Sequence, residues 1–580
     1  MILRPEHPKP QFQRENWMNL NGTWGFEIDN ARSGDSRGLH NADAVLSGSI
    51  CVPFCPQSKL SGVEHKDFLL GVWYQKKVTL APEQCAGRVV LHFGAVDYEC
   101  DVFVNGGLAG NHKGGFVSFC FDITHLVKAG ENVITVFAKD DERDLMIPSG
   151  KQSAQYTSYG CYYTRTTGIW QTVWLEFTPK TYIKSVKYDT DVKNGILTVT
   201  ADLAGRAELT VEAFFEGAPM GEAKAENAGG LVVLTIPLKE RHLWELGDGK
   251  LYDLILKFGQ DKVQSYFGLR SIAMEDGKFL FNGRSVFQRL VLDQGFYPDG
   301  VYTAPSDADL EKDIRMAMDM GFNGARAHEK IFEERWLYHC DKNGYLVWGE
   351  YPNWGLDHSK PEAFYSVIGE WLEELARDRN HPCIIGWCLF NETWNKNGHV
   401  QCDDLIRRIY HITKAIDPTR SCIDASGFFH VETDIYDVHD YEQDPAEFKR
   451  RYDLLMTENK LYEVFDPPQS YRSCYEFRQH WEGQPVFVSE YGGIRWSAEE
   501  NDEKKSWGYG QAVRSEEEFK ERFQGLTDAL LDNYKLFGLC YTQLTDVEQE
   551  QNGLLTYDRK AKFDPAWVRS VLGRKAAIED

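Results

Sequence analysis

The sequence predicts a multidomain protein in which two β-sandwiches are followed by a C-terminal (β/α)8 barrel. Its 580 residues are too many for one hydrophobic core. Short alternating segments without a helical pattern run to about residue 270, and apolar strands alternate with charged helical segments after residue 275. We therefore expect domains at 1–179, 180–271 and 272–580.

The two sandwiches are predicted from segments in which polar and apolar residues alternate. VWYQKKVTL (72–80), RVVLHFGAV (88–96) and NVITVFAKD (132–140) have this period of two and are separated by Gly, Asn and Asp. Strands at such spacing, without intervening helices, indicate a β-sandwich. The next stretch contains ILTVTADL, ELTVEAFF, LVVLTIPL and LYDLILKF, and its length suits one immunoglobulin-like sandwich.

The barrel is predicted from eight apolar strands that alternate with helical segments such as DADLEKDIRMAMDM (307–320). Eight β/α alternations over about 300 residues match a (β/α)8 barrel. The strand candidates are SVFQRLVLD, FNGARAH, YLVWGEY, CIIGWCLFNE, SCIDASG, IYDVHDY, PVFVSEY and LCYTQLTD.

The net charge of −24 argues against nucleic-acid and anionic membrane partners. It arises from 64 basic and 88 acidic residues, which leave no basic footprint for a polyanion. The opening MILRPEHPKPQFQRENW lacks an apolar core of signal-peptide length, and the 13 scattered cysteines are typical of reduced thiols. We expect a cytoplasmic protein, and a homo-oligomer is compatible with the sequence. No cofactor or metal is expected, because no Cys or His cluster has the spacing of a zinc site.

Three of the predicted barrel strands end in or next to a glutamate, and two of these glutamates are candidates for catalysis. The apolar run of NHPCIIGWCLFNETWN (380–395) ends at Asn391 and Glu392, and FVSEYGG (487–493) contains Glu490. Catalytic residues of such barrels lie at the C-terminal strand ends, and the separation of 98 residues (490 − 392) fits three further β/α units. Glycosidic cleavage requires one protonated carboxyl to assist the leaving oxygen and one ionised carboxylate to attack or activate water. Glu350, which ends YLVWGE, is interpreted as a hydrogen-bonding residue near the barrel mouth.

Motifs along nearly the whole chain resemble those of glycoside hydrolase family 2. They include MNLNGTW (18–24), HKGGF (112–116), GFNGARAH (321–328) and the two glutamate segments. The resemblance implies a jelly-roll sugar-binding domain, an immunoglobulin-like domain and a catalytic TIM barrel, with a retaining mechanism through a covalent glycosyl-enzyme. It also implies that Glu392 is the general acid/base and Glu490 the nucleophile.

The same resemblance suggests further pocket residues. Asn391 matches the residue that binds the hydroxyl next to the anomeric carbon, and Tyr441 matches a tyrosine that hydrogen-bonds the nucleophile, with rim packing as its alternative. His328 matches a histidine at the pocket edge, or else bridges strands. Trp394 is expected to offer an apolar wall, and Asp293 either holds sugar hydroxyls or caps a turn. The remaining residues expected to contact substrate are His439, Gln543 and Asp546.

One departure from the family pattern bears on the sugar. Family β-glucuronidases carry an Asn-x-Lys element after the eighth strand that pairs with the sugar carboxylate, whereas Asn552 is followed here by Gly and Leu, with Glu548 and Glu550 nearby. We therefore expect a retaining exo-glycosidase of β-galactosidase type that removes a neutral sugar from a carbohydrate or glycoside.

Other activities stay open as alternatives. These are hydrolysis of β-glucuronides, arabinosides, galactofuranosides or mannosides, and, from another class, non-catalytic carbohydrate binding. If a uronate were the substrate, its carboxylate would need a cation from elsewhere, and the candidates in the loop after Glu490 are Arg495, Lys504 and Lys505.

Overall fold

The computed structural model describes residues 3–393, 400–427, 429–462, 478–497 and 506–579. The first domain is an antiparallel β-sandwich. Its strands are β1 Trp17–Asn19, β2 Gly22–Ile28, β3 Gly48–Val52, β4 Gly71–Leu80, β5 Arg88–Phe93, β6 Val96–Asp97, β7 Glu99–Val104, β8 Gly107–Lys113, β9 Phe119–Asp122, β10 Gly130–Lys139, β11 Gly168–Ile169 and β12 Val173–Thr178, with a short 3-10 helix at Pro82–Cys85.

Two sheets build this sandwich, with strand orders β1-β12-β5-β9 and β3-β2-β4-β10-β7-β8. The sequence alternation explains how they pack. In β7, for example, Cys100, Val102 and Val104 are buried while the residues between them are partly exposed, as expected for a strand with one face on the core.

The second domain is a smaller antiparallel sandwich dominated by one long hairpin. Its strands are β13 Tyr182–Asp191, β14 Ile196–Phe215, β15 Ala218–Pro237, β16 Tyr252–Phe258 and β17 Asp261–Phe267. The turn of the β14–β15 hairpin consists of Glu216 and Gly217, both with positive φ (48° and 78°). This is the backbone that two-residue hairpin turns of the favoured hand require.

The third domain is the barrel. A small sheet of β18 Ile272–Glu275, β19 Lys278–Phe281 and β20 Arg284–Ser285 precedes the barrel strands β21 Gln288–Asp293, β22 Gly324–Ala327, β23 Leu346–Glu350, β24 Ile384–Cys388, β25 Ser421–Ile423, β26 Tyr436–Asp440, β27 Val486–Gly492 and β28 Leu536–Thr542. Helices in the described ranges are α1 Asp307–Asp319, α2 Glu334–Asn343, α3 Ala363–Asp378, α4 Asp403–Ile416, α5 Pro445–Thr457, Glu516–Leu531 and Pro565–Leu572.

The barrel strands pair in the order β25-β24-β23-β22-β21-β28-β27-β26, and each recorded pair is parallel. Every residue of β21 to β24 and of β26 to β28 is buried, because parallel strands are covered on both faces. All eight predicted strands are therefore present, and the predicted fold class is confirmed.

A segment of the first domain reaches across to the barrel. Residues 140–167, between β10 and β11, contact the loops that follow two barrel strands. The backbone amides of Ser149 and Gly150 both donate to the carbonyl oxygen of Trp354, at 2.7 and 3.1 Å. On the other side, the Gln549 amide donates to the carbonyl oxygens of Gly160 and Tyr162, at 2.8 and 3.0 Å. The first domain thus forms part of the barrel mouth.

Two further features complete the description. No helix within the described ranges is long and apolar enough to cross a membrane. The twelve cysteines in the described part of the chain are all free thiols.

Candidate active site

Glu392 and Glu490 lie together at the C-terminal end of the barrel. Glu490 belongs to β27, and Glu392 follows β24 by four residues. A carboxylate oxygen of each, with a ring nitrogen of His439, lies within 4.8 Å of the others. Retaining glycosidases hold their two carboxyl groups about 5–5.5 Å apart, whereas inverting ones leave room for a water between them. The spacing fits direct attack by one carboxylate on a sugar.

The Glu490 carboxylate is buried among donors and positive groups. Its Oε1 lies 3.0 Å from Nη1 of Arg326 and 3.5 Å from Nε2 of His439, and its Oε2 accepts a hydrogen bond from the hydroxyl of Tyr441. Burial alone would raise the pKa of this carboxyl, but these groups and His328 outweigh burial and lower the pKa to about 2. Glu490 is therefore ionised at neutral pH, as a nucleophile must be.

Glu392 is held in an unusual backbone conformation. Its φ is 49°, in the left-handed region that residues with a side chain seldom adopt. Its amide donates to the Ser426 carbonyl oxygen at 2.9 Å, and its Oε1 lies 2.7 Å from Nδ1 of His439. At Gly427, a Cβ atom would lie 2.9 Å from Nδ1 of His439 and 3.3 Å from Cγ of Glu392. Glycine there leaves space for both side chains.

His439 lies between the two glutamates. Besides Glu392 and Glu490, its ring contacts the hydroxyl of Ser426, 2.9 Å from Nε2. Burial lowers the pKa of this imidazole, but the charges of the two glutamates outweigh burial and raise it. The ring is thus positioned to carry a positive charge between the two glutamate side chains.

Arg326, which the sequence reasoning did not single out, organises the floor of the site. Its guanidinium contacts Oε2 of Glu350 at 2.7 Å, Glu490 at 3.0 Å and Oδ1 of Asn391 at 3.1 Å. Glu350 also lies 2.8 Å from Nδ1 of His328. Glu350 is therefore the hydrogen-bonding residue that the sequence predicts, and His328 contacts it on the neighbouring strand end.

Asn391 is fixed by its backbone and leaves one donor group free. Its amide donates to Oδ1 of Asn353 at 2.6 Å, and its carbonyl oxygen accepts from the Trp354 indole at 3.2 Å. Its side-chain oxygen is used by Arg326, whereas its Nδ2 is buried and has no hydrogen-bond partner among the described residues. A buried amide donor of this kind is costly unless a ligand accepts from it, which agrees with a role in binding a sugar hydroxyl.

Three other residues expected at the substrate have different partners. Asp293 accepts from the amide of Gly295 at 2.9 Å, which is the turn-capping alternative. Burial and the carboxylate of Asp313 raise its pKa to about 6. Asp546 pairs with Nζ of Lys562 at 2.6 Å. The amide nitrogen of Gln543 donates to Oδ1 of Asn552 at 2.9 Å. Trp394 lies outside the described residues.

The first-domain segment supplies a wall of the site that the sequence reasoning missed. Lys151 is only 5% exposed, and its Nζ lies 3.4 Å from the ring centroid of Trp354. The Tyr163 hydroxyl donates to Glu550, and the rings of Tyr162 and Trp354 lie 5.1 Å apart. The length of this segment is a signal that could have revealed it, because loops longer than about 15 residues without secondary structure are commonly functional.

Among the residues that the structure describes, two clusters have ligand atoms close enough to hold a metal ion. They are Glu392, His439 and Glu490 in the site, and Asp341, His381 and Cys383 beneath the barrel. In the second cluster, the Asp341 carboxylate already accepts hydrogen bonds from the Tyr266 hydroxyl and the Cys383 amide, at 2.8 and 2.9 Å. In the first, His439 is already engaged by Glu392. Hydrogen bonding accounts for both arrangements.

A barrel that holds two carboxyl groups at this spacing, behind two β-sandwiches, is the arrangement expected of a retaining glycoside hydrolase. Three family models match the chain, each of glycosyl hydrolases family 2: the sugar-binding domain over residues 17–179, the central domain over 181–270 and the TIM barrel domain over 272–569. The chain belongs to glycosyl hydrolases family 2.

Named relatives are similar to the chain at low identity. A putative β-glucuronidase of Formosa agariphila is 27% identical over 60% of this chain and 44% of its own length, and a β-galactosidase of Thermoanaerobacter pseudethanolicus is 27% identical over 62% and 49%. The chain thus spans about half the length of these two relatives. A solved β-glucuronidase of an uncultured Clostridium species has a TM-score of 0.77 at 20% identity, over 96% of this chain and 98% of that one.

Among the most similar curated relatives, those named β-glucuronidase outnumber those named β-galactosidase. The expectation of a β-galactosidase is therefore not confirmed by the relatives, and the glucuronidase alternative has better support.

Proposed function

We propose that this chain is a retaining exo-glycosidase that uses a double-displacement mechanism, with Glu490 as nucleophile and Glu392 as general acid/base. The observation that carries the proposal is the pair itself: two carboxyl groups with oxygens within 4.8 Å, one of them with its pKa lowered to about 2. The first-domain segment closes one side of the mouth, which suits a pocket for a terminal sugar.

In the first step, Glu490 attacks the anomeric carbon while the bond to the leaving oxygen breaks, and Glu392 gives its proton to that oxygen. In the second step, Glu392 takes a proton from water, the water oxygen bonds to the anomeric carbon, and the bond to Glu490 breaks. Tyr441 and Arg326 hold the nucleophile in place. Asn391 offers its free amide donor to a sugar hydroxyl.

For the sugar, we propose a β-glucuronide as the first candidate. The names of the relatives support it, and the two glutamates that argued against a uronate are engaged elsewhere. Glu548 accepts from the Thr164 amide at 3.2 Å. Glu550 is hydrogen-bonded to Tyr163 and Asn552, and burial raises its pKa to about 7. A carboxyl that is partly protonated at neutral pH repels an incoming uronate less than an ionised one does.

A β-galactoside is the second candidate. The relative from Thermoanaerobacter pseudethanolicus carries that name, and the eighth-strand loop lacks an Asn-x-Lys element. A reducing, cytoplasmic setting is also part of the proposal and is supported by the free thiols.

The experiment is a comparison of kcat/KM for 4-nitrophenyl β-glucuronide, β-galactoside, β-galactofuranoside, β-mannoside and α-arabinopyranoside at one pH. We expect the glucuronide to be the best substrate. A neutral glycoside with the highest kcat/KM would contradict the proposed sugar. Product stereochemistry is followed by NMR on the best substrate, and inversion at the anomeric carbon would contradict the proposed mechanism.

A further inference from the structure

Lys151 is a buried cation that the proposed chemistry does not use. It belongs to the first domain, yet its ammonium lies over the face of Trp354, whose indole nitrogen donates to the carbonyl oxygen of Asn391. The indole therefore connects Lys151 to the residue that precedes Glu392. The residue is 5% exposed, so most of its side chain has lost contact with water.

The lysine is held in place through its backbone. Its carbonyl oxygen accepts a hydrogen bond from the amide of Tyr163 at 2.8 Å. The backbone amides of the preceding Ser149 and Gly150 donate hydrogen bonds to the carbonyl oxygen of Trp354. Gly150 has φ +59°, and a Cβ atom there would lie 2.4 Å from the carbonyl oxygen of Glu329. This close approach brings Lys151 against the barrel loops.

Apart from the face of Trp354, the ammonium has no close partner in the described part of the chain, where neither a hydrogen bond nor an ion pair within 4.0 Å involves its Nζ. Several acidic groups lie within electrostatic reach. The groups are Cys161, Glu329, Glu392 and Glu550. Burial lowers the pKa of Lys151, but these groups outweigh burial and raise the pKa, so the side chain is charged. Buried charges are normally paired, because an unpaired one is costly. A ligand that brings its own negative group would remove this cost.

We propose that Lys151 is the residue that selects for a carboxylate on the sugar, so that the first domain, and not the eighth-strand loop, supplies the cation for a uronic acid. The inference rests on the proposed function, because it takes the uronide as substrate. It follows from an ammonium that lies against the ring of Trp354, whose indole donates to the residue preceding Glu392, and that has no ion-pair partner in the described part of the chain.

The test compares 4-nitrophenyl β-glucuronide with 4-nitrophenyl β-glucoside. The two substrates differ only at C6, which is a carboxylate in the glucuronide and a hydroxymethyl group in the glucoside. In Lys151→Met, which keeps the apolar stem, the ratio of kcat/KM for glucuronide over glucoside should fall by roughly 10- to 150-fold, the range for loss of a charge-assisted hydrogen bond. Lys151→Arg keeps the charge and should recover part of the ratio.

Lys76 provides the matched control. It is another first-domain lysine above a tryptophan, with its Nζ 5.9 Å from the ring centroid of Trp24. Lys76→Met should leave the ratio unchanged. Arg495, in the loop after β27, provides the competing explanation, and Arg495→Met should also leave the ratio unchanged.

The inference is overturned if Lys151→Met lowers kcat/KM equally for both substrates, which indicates a structural role, or if Arg495→Met abolishes the preference instead. If the wild-type protein prefers neutral glycosides, the proposed sugar fails independently. Free glucuronate and glucose are then compared as competitive inhibitors of the best substrate. Tighter inhibition by glucuronate that disappears in Lys151→Met supports the anion site, and equal inhibition by the two sugars overturns it.

Discussion

Replacing Tyr441 with Phe removes one donor from the proposed nucleophile and leaves the rest of the site in place. The Tyr441 hydroxyl donates to Oε2 of Glu490 and lies 3.1 Å from Oγ1 of Thr542. Its ring stacks on Tyr509, with centroids 3.3 Å apart. Phenylalanine keeps this stack. The change therefore isolates the hydroxyl.

The size of the effect follows from what remains around Glu490. Arg326 at 3.0 Å and His439 at 3.5 Å still stabilise the carboxylate, so its position is kept while one charge-assisted hydrogen bond is lost. Such a bond contributes about 1.5–3 kcal/mol, so kcat should fall by roughly 10- to 150-fold. The rate of covalent labelling by a 2-fluoro glycoside should fall in the same proportion.

The pH profile gives a second measurement. Glu490 must be ionised to attack, so activity is lost as pH falls through its pKa, which the structure holds at about 2. Because the Tyr441 hydroxyl is one of the groups that lower this pKa, its removal should move the acidic limb of kcat/KM to higher pH.

The control variant is Tyr491→Phe, on the same strand. The Tyr491 hydroxyl lies 2.9 Å from Oγ1 of Thr527, a residue of the helix Glu516–Leu531. This variant should keep the wild-type kcat and acidic limb. The reasoning is refuted if Tyr441→Phe keeps kcat within about twofold of wild type, the range expected when no hydrogen bond to a charged group is lost, or if only KM changes.

Two further predictions concern the catalytic pair and the first-domain wall. Glu490→Gln should form no covalent intermediate with a 2-fluoro glycoside. Glu392→Gln should still be labelled, and it should hydrolyse dinitrophenyl glycosides better than glycosides with poor leaving groups. Mass spectrometry of the labelled peptide checks both results, and a label on another carboxylate would make the assignment wrong. Gly150→Ala should lower the melting temperature and raise KM, because its Cβ would lie 2.4 Å from the Glu329 carbonyl oxygen and its φ is +59°. Gly160→Ala, with φ +52° and nothing within 4 Å of its Cβ, is the control for backbone strain alone, so equal effects in both variants would exclude the steric explanation.

The barrel could be predicted from the sequence because its strands leave a strong local signal. Segments such as CIIGWCLFNE are apolar throughout, since they are buried on both faces, and the polar residues that end them lie where the chemistry of such barrels lies. The same local signal identified Glu392 and Glu490, which the structure brings together.

The remaining contacts depend on residues far apart in the chain. Arg326 lies inside a strand, and no feature of the sequence indicates that it contacts Glu350 and Glu490. Asp293 and Asp546 also end or follow barrel strands, yet Asp293 caps a turn and Asp546 pairs with Lys562. Position at a strand end therefore does not determine whether a side chain faces the pocket.

The long first-domain segment also connects the barrel mouth to a different domain, which has its own hydrophobic core. A sandwich that anchors one wall of the pocket can change that wall by a substitution in its own loop, while the strands that carry the two glutamates stay as they are. Substrate preference can then evolve in one domain and the bond-breaking machinery in another. A barrel excised without its sandwich would retain its glutamates but lose the surface on which such changes are made.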